Sequence, residues 1–152
     1  MVFMLEDHPI VAEVYYPGLD SHPDRNMADS TFRSGRDCEE DFEYISQTYR
    51  ELMSFVVTGE DDDEALRRAR NACENLQVIN LAVSLGGVEY LCKNPASMTH
   101  AMIPQEQRMK GGLEDGLIRI SVGLERARDL VDNLRNSLDL CDNDSCDVLE
   151  DL

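Results

Sequence analysis

"LAVSLGGVEYLCKNPASMTH" (Leu81–His100) and, after a short polar link, "GLEDGLIRISVGLERARDLVDNLRNSL" (Gly112–Leu138) carry the reading of this chain. The first is strand-like until Gly86-Gly87, where tandem glycine frees the backbone for a tight bend or a close approach. A proline and small hydroxyl side chains follow. In the second, Leu117, Ile118, Ile120 and Val122 surround Arg119 and Ser121, which gives a strand with one mixed face. Leu130, Leu134 and Leu138 then recur at i, i+4 and i+8, the stripe of an amphipathic helix.

Working outward, "EDDDEALRRARNACENLQVI" reads as a helix. Its acids fall in the first turn, where the helix dipole favours them, and Leu66, Ala69, Cys73 and Leu76 share a face. "LMSFVVTG" is a short β-branched strand closed by Gly59. Near the start, a helix tail turns at His8-Pro9 into a strand from about Ala12 to Tyr16, stopped by Pro17-Gly18. "DSHPDRNMADSTFRSGRDCEED" is polar and poor in aliphatic residues, so it reads as a loop or insertion, taken as about residues 28–49. The tail from Asp139 holds six acids and no base, and is expected to be disordered. The order strand, strand, helix, two or three strands, helix predicts an α+β fold. The sheet is expected to be small and mainly antiparallel with helices packed on one face, forming a single domain over residues 1–138.

The formal net charge of −17 argues against nucleic acid and anionic membrane, since phosphate binding needs clustered Lys and Arg. No apolar run approaches the ~20 residues that span a bilayer. The 5 cysteines show no framework spacing, which points to free thiols and a cytoplasmic location. Cys141 and Cys146 lack further ligands for zinc. None of the three histidines has an identifiable nucleophile as partner.

Arg119 is the residue most open to a functional reading. An unpaired cation inside an apolar strand is costly, so it is either solvent-facing at an edge or a planar fork presented to a carboxylate. Ser97 and Thr99 could add hydroxyls, although such groups usually satisfy turns. The diglycine by itself indicates a turn more often than a binding loop, and it is not a dinucleotide fingerprint.

Together, the SLGG, PASMTH and DGLIRISVGLE elements closely resemble the C-terminal domain of the Cys/Met-metabolism pyridoxal-phosphate enzymes, the group of cystathionine γ-synthase, the cystathionine lyases and methionine γ-lyase. "HPIVAEVYYPGLDSHP" and "LMSFVVTG" match earlier segments of the same domain. The resemblance implies the fold of that C-terminal domain. It implies that Arg119 grips the α-carboxylate of a sulfur-containing amino acid, that Ser84 and Leu85 frame the substrate, and that Thr99 lies near the same pocket. It also implies that Val83, at a position that varies between subfamilies, leans toward the methionine γ-lyase type.

The implied cofactor is pyridoxal 5′-phosphate, which supplies an electron sink that the protein must hold. The family anchors it on a lysine in an S-x-T-K context, whereas Lys93 and Lys110, the only lysines here, lie in other contexts. No catalytic residue is therefore assigned. The chain is expected to be a truncated or stand-alone domain, non-catalytic until a large-domain polypeptide joins it, with homo-oligomer formation a further possibility. The alternative is a non-catalytic remnant acting as a binding or interaction domain.

Overall fold

In the computed structural model, residues 1–33, 51–84, 88–124 and 126–142 are described. The chain opens with α1 (Val2–Glu6), which buries Leu5, and turns through His8–Ile10 into β1 (Val11–Tyr15). Helix α2 (Arg25–Arg33) follows. Next come β2 (Leu52–Val57), α3 (Asp62–Glu74), β3 (Asn80–Leu81), β4 (Leu91–Lys93), α4 (Gln105–Lys110), β5 (Leu117–Ser121) and α5 (Ala127–Asp142). None of these helices is long and apolar enough to cross a membrane.

The strands form one sheet in the order β1-β2-β5-β4-β3. Its register separates two faces. Met53, Phe55 and Val57 of β2, Ile118 and Ile120 of β5 and Cys92 of β4 point into one buried cluster. Against them pack Leu5 of α1, Ala69, Ala72 and Cys73 of α3, and Leu130, Leu134, Leu138 and Cys141 of α5. Helix α3 starts as its acids dictate: Asp61 caps it by accepting the Glu64 N–H at 2.8 Å, with Asp62, Asp63 and Glu64 in the first turn. The Ser137 hydroxyl donates to the Ala72 carbonyl at 2.5 Å and ties α5 to α3.

β2 ends, and β5 begins, beside a forced glycine. Val57 N–H donates to the Gly116 carbonyl at 2.9 Å. A side-chain carbon on Gly116 would lie 2.2 Å from the Val57 carbonyl oxygen, so only glycine fits this close approach.

Three expectations are corrected. The sheet is mixed rather than mainly antiparallel: β1-β2, β2-β5 and β5-β4 are antiparallel, but β3 runs parallel to β4. Asn80 lies opposite Leu91 and Leu81 opposite Cys92 in that parallel pair. The polar stretch after Pro23 is not all loop. Helix α2 occupies Arg25–Arg33, with Arg25 Nε 3.3 Å from Asp29 Oδ2 one turn on and its guanidinium also donating to the Gly18 carbonyl. The rest of that insertion lies outside the described residues. The tail does not begin at Asp139, because α5 continues to Asp142 and buries Cys141 on the face set by Leu130, Leu134 and Leu138. Residues 143–152 lie outside the described residues.

Candidate functional site

The sheet face opposite the buried cluster carries one polar row, between Val56 and Leu117 on one side and Leu52 and Leu91 on the other. Tyr15 pairs with Ser54, Ser54 with Arg119, and Arg119 with Lys93, so a single row crosses β1, β2, β5 and β4. Neighbours in such a row have Cβ atoms ~4.5–5.5 Å apart and lie on one face. Arg119 therefore stands near the middle of the sheet, not at its edge. It is half-buried, as are Ser54 and Tyr15, and Lys93 is only 6% exposed.

The electrostatics of the row are lopsided. Among the described residues neither Arg119 nor Lys93 has an acidic partner within ion-pair distance. Burial lowers the affinity of Arg119 for its proton. Burial, and then the facing Arg119 charge, lowers that of Lys93. At the far end, the Tyr15 hydroxyl donates to Glu13 Oε2 at 2.8 Å. Burial and that carboxylate push the phenol up to about 12.

Two buried polar clusters hold the row in place. Asn94, directly after Lys93, is 1% exposed. Its amide donates to the carbonyls of Asp115 and Leu117, each at 2.8 Å, and its oxygen accepts the Ser97 N–H at 2.8 Å. One side chain thus pins the end of β4 and the start of the 94–103 turns to the entry of β5. Arg108 of α4 donates to Asp115 Oδ1 from Nε at 3.1 Å and from a terminal nitrogen at 2.6 Å, while Gln105 donates to Oδ2 at 2.8 Å.

Of the site residues named from sequence, Arg119 occupies the row. Val83 and Ser84 follow β3 at the sheet edge. Ala82 N–H donates to the Cys92 carbonyl at 3.0 Å, so the parallel strand carries them past the same end of β4 that holds Lys93. Both are exposed. Leu85 and the diglycine lie outside the described residues. Thr99 is an exposed turn residue whose hydroxyl is 2.8 Å from His100 Nδ1, outside the row. Ser97, part of the Asn94 turn, instead lines a cavity of about 450 Å³ with Leu66, Cys73, Asn94 and Arg108, on whose wall Arg119 does not lie.

Sequence reasoning missed Lys93, Asn94, Arg108 and Asp115. For Lys93 a weaker signal existed, a cation directly after Leu91 and Cys92, although polar Asn94 follows it where Arg119 has Ile on both sides. The other three meet only once the turns fold, and no periodicity announces them.

Residues 1–139 match the family described as Cys/Met metabolism PLP-dependent enzyme. Among curated relatives, the chain is 39% identical over 137 residues to a cystathionine gamma-lyase of Dictyostelium discoideum, covering 90% of this chain and 30% of that protein. It is 34% identical over 139 residues to an L-methionine gamma-lyase of Fusobacterium nucleatum, covering 91% and 30% respectively. Cystathionine gamma synthase of Xanthomonas oryzae, solved with aminoacrylate and cysteine, superposes with a TM-score of 0.70 at 34% identity, over 93% of this chain and 32% of that one. The chain thus spans about a third of the length of the proteins it resembles.

The cofactor of the matched family is pyridoxal phosphate. The lysines here do not fit its anchoring role. Lys110 is exposed and pairs with Glu106 at 2.7 Å. Lys93 is buried against Arg119, in a row whose other members are Ser54 and Tyr15.

Proposed function

Because the chain belongs to the Cys/Met metabolism PLP-dependent enzymes, we propose that it supplies the carboxylate-binding wall of a site for a sulfur-containing amino acid. Arg119 is the clamp. Its guanidinium is fixed by a central strand and offers two parallel N–H donors to the α-carboxylate. Val83 and Ser84 border the substrate from the β3 edge, Thr99 approaches from the 94–103 turns, and Leu85, outside the described residues, is assigned to the same wall by the family resemblance. Residues 1–138 act as one unit in this reading. The lysine that anchors the cofactor comes from polypeptide outside these 152 residues, so this chain alone binds the amino acid without turning it over. The reaction served is carbon–sulfur bond cleavage or formation.

One observation carries this reading: a half-buried arginine at the centre of a sheet, in the polar row, with no acid within reach among the described residues. Burying a cation in that way costs stability unless an anion completes it. The test is NMR titration of the full chain with L-methionine and with 3-(methylthio)propylamine, which lacks the carboxylate. Methionine is expected to bind with shifts centred on β5 and β4, the amine is not, and Arg119→Met removes the difference. Equal binding of both compounds would defeat the clamp. Turnover of cystathionine by the purified chain with added pyridoxal phosphate would defeat the assignment of the chemistry to a companion polypeptide.

A further inference from the structure

The row contains one cation more than a single carboxylate needs. Lys93 and Arg119 are direct register partners across antiparallel strands, on the same face. Like charges placed opposite one another in a sheet repel, and here the lysine is 6% exposed as well. Apolar residues at position 93 would avoid that cost, as Leu91 and Cys92 do on the same strand. Lys110 and nine-tenths exposed Arg128 show the usual alternative, a surface cation with an acid four residues away. Lys93 has neither solvent nor, among the described residues, an acid.

From this geometry we infer that Lys93 and Arg119 form a two-cation site for a compact ligand with two anionic groups, Arg119 holding one and Lys93 the other. The spacing supports this. Side chains that leave the same face of the sheet ~5 Å apart at Cβ can converge on one compact ligand. The inference deepens the carboxylate-clamp reading and rests on it: Lys93 sets a preference for doubly acidic amino acids over neutral ones. Lys93 is the specificity residue, and Arg119 remains the group that receives the common carboxylate. The ammonium acts as a strongly hydrated point charge, so it discriminates by charge more than by shape.

Succinate and propanoate, a dianion and a monoanion of similar size, separate the two readings when titrated into the full chain at low ionic strength. Succinate is expected to bind at least tenfold more tightly than propanoate. Lys93→Met brings the ratio to within about twofold of unity, while Lys93→Arg keeps the preference. Added salt shrinks the ratio in the wild-type chain. Equal affinity for both acids in the wild-type chain, or a ratio that Lys93→Met leaves intact, overturns the assignment of Lys93 while leaving propanoate binding to Arg119 standing. Propanoate binding that Arg119→Met does not weaken overturns both readings.

Discussion

Arg108 and Asp115 form a salt bridge of 2.6 Å in which both side chains are shielded, at 9% and 2% exposure. The pair joins α4 to the residue before Gly116, and so to the entry of the strand that presents Arg119. A buried pair contributes little over a well-packed apolar replacement, but leaving one partner alone is expensive. Asp115→Asn should therefore lower unfolding free energy by about 3–5 kcal/mol, read from urea midpoints. Asp115→Leu combined with Arg108→Met should recover most of the loss. Single and double variants of equal stability would mean the pair does not couple the two elements.

Asn94 makes three hydrogen bonds from one buried side chain. Asn94→Ala leaves two carbonyls and one N–H without those partners, each costing about 1–3 kcal/mol when buried. Asn94→Asp keeps the acceptor for Ser97 but faces two carbonyls with a charge, so it should be at least as damaging. Hydrogen exchange should quicken first at Ser97 and in the surrounding turns. Unchanged exchange there would show that the turns are held by other contacts.

Buried thiols offer a separate check on the core. Cys73 and Cys92 lie with sulfurs 3.4 Å apart between α3 and β4. The hydrogen bond from one sulfur to the other, and then burial, raises the Cys73 thiol well above its usual range. The thiolate is the reactive form, so alkylation of Cys73 in the native chain at pH 8 should run at least a hundredfold slower than in urea, with peptide mapping as the readout. Labelling at the unfolded rate would mean that α3 does not sit on the sheet.

What the sequence disclosed follows from the range of the interactions. β2, β5, α3 and α5 were legible because each repeats its apolar residues at a local period over five residues or more. The Cys141 extension of α5 was legible too, since it continues the spacing of Leu130, Leu134 and Leu138, but the acidic composition around it argued louder. β4 has three residues and α4 six, too few for a period to show. The parallel pairing of β3, the Arg108–Asp115 bridge and the Asn94 clamp depend on chain reversals that place distant residues together. For the site, Arg119 stood out because a cation in an apolar strand is costly wherever it points. That Lys93 would face it required the β4-β5 register, which local pattern does not encode.

The charged row also predicts a pH dependence. Lys93 holds its proton less tightly in the folded chain than the ordinary lysine value of 10.5, first through burial and then through Arg119. The unfolded chain therefore binds more protons just below that pH, and stability should rise as pH increases through the folded-state titration toward 10.5. Tyr15 acts in the opposite sense. Its phenol, ordinarily at 10.0, is raised to about 12, so the stability it contributes is present below pH 10 and is lost above it. Between pH 7 and pH 10 the Cys73 thiol also contributes, so the lysine is read from the difference between urea midpoints of the wild-type chain and Lys93→Met: the variant should be more stable at pH 7, and the difference should shrink as pH rises. Ultraviolet titration above pH 10, with Tyr15→Phe subtracted to remove the other four tyrosines, isolates Tyr15, whose midpoint should fall in Glu13→Gln. A wild-type chain whose stability falls steadily from pH 7 to pH 10, with Lys93→Met following it in parallel, would show that the two cations do not repel across the sheet.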